Sequence, residues 1–554
     1  MATDKKALII HPDDNVGVAL KDLRSGDIVE LNNISIEIKS SVAAKHKFAL
    51  NDVPEGNDII MYGVLVGKAT SSLRSGDVLT TENIRHATKK PVPWQAKKEW
   101  ALAPENQDWT ERTFMGFHRD DGQVGTANYW IVAPLVFCEN RNINVIRTAF
   151  EKGLGYVLPD HYEQHVKALV EQYQKGADAQ QLLNVAGKTS QEQIYIGPKV
   201  FENISGIKFL THEGGCGGTR QDSELLCKVL AGYINHPNVA GATILSLGCQ
   251  NAQIELLEQA LKTINPKSNK PLHIFEQQKY GSEEKMMTAA INHTFAGMAE
   301  ANKLQRSPAP LSKLTIGVEC GGSDGFSGIS ANPVMGHCSD LTVSVGGSAI
   351  LSEFPELCGV EQEIIDRCET KELAEKFEGL MNIYAQRAAE SGSGFDMNPS
   401  PGNIKDGLIT DAIKSAGAAK KGGTSPVKGV MDYGEYLTTQ GLNLLCTPGN
   451  DVESTTGLAG AGANIILFST GLGTPTGNPV VPVIKVSSNS VLAEKMKDII
   501  DIDTGPVISG EKSIEEMGEE MMELIIKTAS GEYTTKATAL GQDDFIPWKR
   551  GVSL

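Results

Sequence analysis

Leu314-Thr-Ile-Gly-Val318 runs through Glu319 into Cys320-Gly-Gly-Ser-Asp-Gly-Phe-Ser-Gly-Ile-Ser-Ala-Asn-Pro333. The apolar run reads as a buried strand, and the residues from Cys320 onward read as a loop built around something small. Glycines let main-chain N–H groups approach a ligand and accept positive φ. The thiol of Cys320, the hydroxyl of Ser323 and the carboxylate of Asp324 supply metal-ligand or acid–base chemistry.

Three further cysteines repeat the pattern. Ala133-Pro-Leu-Val-Phe137 leads into Cys138, Lys208-Phe-Leu-Thr-His212 leads through Glu-Gly-Gly into Cys216, and Ala242-Thr-Ile-Leu-Ser-Leu-Gly248 leads into Cys249. Leu225, Leu226, Val229, Leu230, Tyr233 and Ile234 have helical spacing after Cys216. Ile254, Leu256, Leu257, Ala260, Leu261 and Ile264 have it after Cys249. Alternating strands and helices predict parallel sheets with right-handed crossovers, whose carboxyl ends share one edge. Sequence-distant thiols are thereby expected on a ligand-binding edge. Cys227, Cys338, Cys358, Cys368 and Cys446 lack this placement and read as packing or surface thiols.

The first module is different. Leu23-Arg-Ser-Gly-Asp-Ile28 recurs as Leu73-Arg-Ser-Gly-Asp-Val78, with a weaker copy at Pro54–Ile59. Each copy is a turn entering a strand. The expected organisation is a small all-β module over 1–90, a linker over 91–112, a central α/β domain over 113–305 and a C-terminal α/β domain over 312–554. The stretch Gln305-Arg-Ser-Pro-Ala-Pro310 reads as the boundary between the last two.

The chain has 554 residues, 40% apolar and 21% charged, as in an ordinary globular protein. A net charge of −17 makes nucleic acid and anionic membranes poor partners. No apolar run reaches the length of a membrane span. Nine cysteines without framework spacing, behind a polar N-terminus, predict free thiols in the cytoplasm. Gly471, Gly473 and Gly477 do not make a dinucleotide loop, because strand-like Val480–Ile484 stands where a helix is required.

At these loops the chain resembles the altronate/galactarate dehydratase family, and within it the altronate dehydratases, over essentially its whole length. The resemblance is carried by His11, Asp14-Asn-Val16, His46-Lys-Phe-Ala49 and Tyr62-Gly63. Arg119, Asp121-Gly122, Val124-Gly125 and Asn128 continue it, followed by Cys216, Gly248-Cys249 and Cys320-Gly-Gly-Ser-Asp324. Thr447-Pro-Gly-Asn-Asp451, Lys485 and Ser488-Asn489 complete it. Two departures stand out. Thr80-Thr-Glu-Asn83 replaces a His-x-His-Asn, and Ala127 stands where an arginine is usual.

The resemblance implies an N-terminal SAF-type β-clip domain and two α/β domains. It also implies loss of water from a sugar acid to give a 2-keto-3-deoxy acid, with Fe2+ as cofactor. An iron–sulfur cluster or another divalent metal remains open at this point. Such an elimination needs a base for the C2 proton, a cation for the enediolate and an acid for the leaving C3 hydroxyl. The candidates for acid and base are His11, His46, His212 and Asp324. Cys216, Cys249 and Cys320 are the candidate metal ligands, since thiolates favour iron or zinc over magnesium. Ser323, Asn128, Asn450, Asp451 and Lys485 are candidate substrate contacts. The expected substrate is a small anionic sugar acid: altronate, giving 2-keto-3-deoxygluconate, with galactarate dehydration or a sulfo-lyase activity as alternatives. A non-enzymatic carbohydrate-binding protein is the remote one. A homodimer is the default expectation.

Overall fold

A computed structural model of the chain describes residues 5–31, 34–95, 100, 103–156, 161–186 and 199–553. Between Ala7 and Arg85 the strands are short and antiparallel. The sequence repeat is a repeated turn. Gly26 and Gly76 both take φ +88°, and the carboxylates of Asp27 and Asp77 accept the N–H of Arg24 and Arg74 at 2.8 Å. The module has one small core of its own, around Leu23, Val29, Ile38 and Phe48, and shares a second with the body. Val16, Val18, Ile59 and Val66 pack in one cluster with Phe326, Ile329, Leu408, Ile409 and Ile413 of the body.

The central sheet holds β1 (Tyr129–Pro134), β2 (Gly206–Phe209), β3 (Val239–Ser246) and β4 (Leu272–Glu276), in the order β2-β1-β3-β4 and all parallel. The C-terminal sheet holds β5 (Thr315–Cys320), β6 (Ser348–Leu351), β7 (Val427–Met431), β8 (Gly441–Leu445), β9 (Ile465–Thr470), β10 (Val483–Ser487) and β11 (Ile502–Asp503). Its order is β7-β8-β6-β5-β9-β10-β11, again all parallel. Parallel strands covered on both faces must be apolar throughout, and β9 is buried at every position. The expected helices after Cys216 and Cys249 form at Arg220–Asn235 and Ile254–Ile264.

The two α/β layers are packed tightly together. The helix Arg220–Asn235 lies against the helix Asp451–Gly460, where a Cβ on Gly232 would fall 2.0 Å from the Gly460 carbonyl oxygen. Only glycine permits that approach.

Two stretches read as connections are built into the fold. Ser307–Pro310 is a strand pairing antiparallel with Thr113–Gly116, in a small sheet apart from the parallel ones. It is an edge strand, where the missing N–H groups of Pro308 and Pro310 cost no ladder bond. In the 91–112 stretch, the Trp94 indole donates to the Cys368 carbonyl at 2.9 Å, and Trp109 is buried in the C-terminal core. Among the described residues no helix is long and apolar enough to cross a membrane.

Candidate active site

The chain leaves β5 toward β6 and leaves β9 toward β10, so the C-terminal sheet opens a crevice between β5 and β9 at its carboxyl edge. The loops on either side are joined directly. Gly321 N–H donates to the Ser469 carbonyl, and Gly471 N–H to the Gly322 carbonyl, both at 3.0 Å. Ser323, Asp324, Asp451 and Lys485 stand around this crevice, with Cys320 at its floor.

Lys485 points up from β10. It is fully buried, its ammonium nitrogen has no hydrogen-bond partner, and it lies 3.3 Å from the centre of the Phe468 ring. Burial brings its pKa down to about 7, with Asp451, Glu319, Asp501 and Asp544 opposing. Asp451 begins the helix Asp451–Gly460, which Asn450 caps by accepting from Val452 and Glu453 N–H at 3.2 Å. Burial and the nearby Glu356 raise Asp451 to about 6, against three lysines. Gly321 makes room for it: a Cβ there would stand 2.1 Å from an Asp451 carboxylate oxygen.

Asp324 is differently placed. Its carboxylate accepts from the N–H groups of Phe326 and Ser327, from the hydroxyls of Ser327 and Ser488, and from Asn489. Lys45 of the N-terminal module adds an ion pair at 3.0 Å and also reaches Asp406 at 2.9 Å. With its lone pairs so occupied, Asp324 anchors the loop and the module. Lys47, buried, donates to the carbonyls of Gly407 and Lys45, and burial lowers its pKa to about 7.

Below the crevice is a buried network absent from the sequence reading. Cys320 Sγ donates to Glu356 at 3.1 Å and accepts from Lys421 at 2.8 Å. Lys421 also pairs with Glu353, and Lys414 pairs with Glu356 at 2.6 Å. Burial pushes Glu319 well above the usual carboxylate range, whereas Lys414 and Lys421 hold Glu356 below it. The non-glycine residues with left-handed backbone among those described are Lys45, Tyr62 and Glu353. All three border this region, since the Tyr62 hydroxyl reaches Gly328. Strained backbone concentrates where function over-determines geometry.

Among the described residues, two donor sets have ligand atoms within 4.8 Å of one another: Cys320–Glu353–Glu356 and His86–Cys358–Asp411. The first does not fit a dication. Lys421 already stands on Cys320 and Glu353, and Lys414 on Glu356, so its donors are occupied by ammonium groups. The second carries no lysine and clamps the end of the N-terminal module to the body through the His86–Asp411 pair. It includes Cys358, which its sequence position marked as a packing or surface thiol.

The other expected residues lie elsewhere. His11 is exposed on the module, its Nδ1 accepting from Asp13 N–H. His46 meets the Lys405 carbonyl at 2.9 Å. His212 is buried beside Cys216 at the central edge. Its Nε2 donates to the Pro134 carbonyl and its Nδ1 accepts from Gly214 N–H, and burial lowers its pKa to about 4. Asn128 precedes β1, at the opposite edge, where it bonds to Arg119, Asn203 and Ala301. Cys216 and Cys249 follow β2 and β3, on a different sheet from Cys320.

Family models agree with this layout. One described as the altronate/galactarate dehydratase SAF domain matches residues 5–87. One for the second domain of D-galactarate dehydratase/altronate hydrolase matches 116–302, and one for the D-galactarate/altronate dehydratase C-terminal region matches 311–553. An altronate dehydratase of Escherichia coli (strain K12) is 33% identical, covering 98% of this chain and 99% of its own. One of Bacillus subtilis (strain 168) is 32% identical, covering 95% and 96%. A galactarate dehydratase (L-threo-forming) of Escherichia coli (strain K12) is 27% identical, covering 95% and 93%.

Proposed function

Because the chain belongs to the altronate/galactarate dehydratase family, we propose that it is a hydro-lyase that removes water from altronate, with Asp451 and Lys485 as its acid–base pair. The supporting observation is that burial draws the pKa values of these two unlike groups toward each other, to about 6 and about 7, at the carboxyl edge of one sheet. Two titratable groups tuned to the working pH are what a concerted elimination needs.

The values also choose the roles. Between the two values Asp451 is mostly carboxylate and Lys485 mostly ammonium. Asp451 therefore takes the C2 proton, and Lys485 gives its proton to the C3 hydroxyl, which leaves as water. The electron pair of the C2–H bond becomes the C2–C3 double bond of an enol. Ketonisation of that enol yields the 2-keto-3-deoxy acid. Iron, when bound, would supply a Lewis acid for the substrate carboxylate. The Cys320 set does not fit it, and none of these steps runs through it.

An aldonate brings one carboxylate and an aldarate two, and a second buried carboxylate without a cation costs several kcal/mol. Lys485 is the one lysine among the described residues whose buried nitrogen lacks a hydrogen-bond partner, while Lys414 and Lys421 are engaged by glutamates. No lysine beyond the proposed acid is left there among the described residues for an aldarate's second carboxylate, which favours altronate. Ala127 does not bear on the choice, because it sits at the amino end of β1, away from the crevice. The test is kcat/KM for altronate and galactarate, read as 2-keto acid release. Altronate should be favoured at least tenfold, and an equal or higher value for galactarate would overturn the substrate.

A further inference from the structure

The seam between the N-terminal module and the body gathers a set of donors that the proposed reaction does not use. The strand Ile84–Arg85 closes the module by pairing with Lys68 and Ala69, and His86 follows it directly. Cys358 stands on the body, just after the short helix Phe354–Leu357, and Asp411 opens the helix Asp411–Ala418. Three segments distant in sequence thus deliver an imidazole, a thiol and a carboxylate to one point, with ligand atoms within 4.8 Å of one another.

The surrounding backbone holds these donors in place. Gly359, next to Cys358, has φ +93°, and a Cβ there would fall 2.5 Å from the Thr88 methyl and 3.3 Å from the Ala412 Cβ. The Thr410 hydroxyl accepts the Ile413 N–H at 3.2 Å and donates to the Val66 carbonyl of the module at 3.0 Å. Asp411 is thereby fixed against both the helix it opens and the module.

Hydrogen bonding leaves the cluster incomplete. His86 Nδ1 faces one Asp411 oxygen, but neither that nitrogen nor the other Asp411 oxygen has a hydrogen-bond partner, and both atoms are buried. Asp411 itself is only 3% exposed. Glu361 and Asp396 add their negative charge to that of Asp411 around both His86 and Cys358. The Cys320–Glu353–Glu356 set answers its carboxylates with two lysines, whereas here three carboxylates surround one imidazole. A buried carboxylate oxygen without a partner is costly, and a bound cation removes that cost.

We infer that His86, Cys358 and Asp411 bind one zinc ion that fastens the module to the body, its fourth position open to solvent beside His86. Zinc accepts nitrogen, sulfur and carboxylate oxygen together, at about 2.0–2.3 Å in a tetrahedron. A thiolate excludes magnesium and calcium, which take oxygen ligands. On binding, the Cys358 thiol gives its proton to solvent and its sulfur pair to the metal, with no change of oxidation state. One thiolate and one carboxylate then neutralise the dication, and the imidazole binds uncharged. The site shares no residue with Asp451 and Lys485 and is separate from the iron of the proposed reaction. It concerns how the module is held, and stands whichever sugar acid is turned over.

The test is zinc loading of the full chain after chelation, followed by gel filtration and elemental analysis. His86→Ala and Cys358→Ser should each keep the circular dichroism spectrum and bind one zinc fewer than the wild type. Cobalt(II) in the wild-type chain should give a near-ultraviolet thiolate charge-transfer band that Cys358→Ser lacks. Zinc should also shield Cys358 from iodoacetamide, as mapped by mass spectrometry, and slow proteolysis within 87–112, two readouts that need no variant to fold. Equal zinc in the wild type and the folded variants, cobalt bound without the thiolate band, or alkylation of Cys358 unchanged by zinc would overturn the inference. Uptake of ferrous iron but not zinc at these residues would overturn the choice of metal.

Discussion

Asp451 and Lys485 differ by more than six units as free side chains, about 4 and about 10.4, and the crevice brings them to about 6 and about 7. The consequence is a narrow bell in kcat/KM against pH. Activity rises as Asp451 loses its proton, with a limb near pH 6, and falls as Lys485 loses its own, with a limb near pH 7. Asp451→Asn should remove the acidic limb from whatever activity remains, and Lys485→Gln the alkaline one. A flat profile from pH 5 to 8 would contradict the pairing. Gly321 is a second residue with a defined outcome. In Gly321→Ala the new methyl would meet the Asp451 carboxylate at 2.1 Å and the Phe468 ring at 2.6 Å. Turnover should fall at least tenfold while the circular dichroism spectrum is preserved.

Lys45 and Lys47 show how an element carries function. Lys45 sits in a left-handed turn and Lys47 opens the strand after it; both reach the body at Asp406 and Gly407, and His46 between them meets the Lys405 carbonyl. His46 was the expected participant, yet the lysines make the charged and buried contacts; the left-handed turn at Lys45 that aims them is not visible in a period-two pattern. Lys45→Ala would leave the buried Asp324 carboxylate without its cation, a loss of about 3 kcal/mol. It should lower the denaturation midpoint and expose the 87–112 stretch to protease before the body unfolds; an unchanged midpoint would show the pair to be idle. The strands before Cys138, Cys216, Cys249 and Cys320 were legible because each is a short apolar run that leads into a cysteine-bearing loop. Glu353, Glu356, Lys414 and Lys421 were not. They come from separate segments, and only the strand order brings them under Cys320. Ser307–Pro310 was read as a boundary because proline usually marks one, and its edge position is a fact of topology. The sequence also placed Cys320 with Cys216 and Cys249, because equivalent strand ends look alike before the strands are divided between two sheets.

For the whole molecule, the shared core between the N-terminal module and the body has a consequence. Residues 88–554 alone would expose Phe326, Ile329, Leu408, Ile409 and Ile413, which the module covers. That body should bind a hydrophobic dye, and a separately expressed 1–87 should suppress the binding and restore turnover. A body that stays active and dye-silent would make the module dispensable. The two parallel sheets each have a carboxyl edge. One edge carries the proposed acid–base pair, and beside Cys216 on the other a cavity reaches the helix of the proposed base. The most direct test of this account is release of 2-keto acid from altronate by the metal-loaded wild type beside Asp451→Asn and Lys485→Gln. The account predicts turnover by the wild type and a loss of about 10²–10⁴-fold in kcat for each variant. Either folded variant working within tenfold of the wild type, or no 2-keto acid from the wild type, would contradict it.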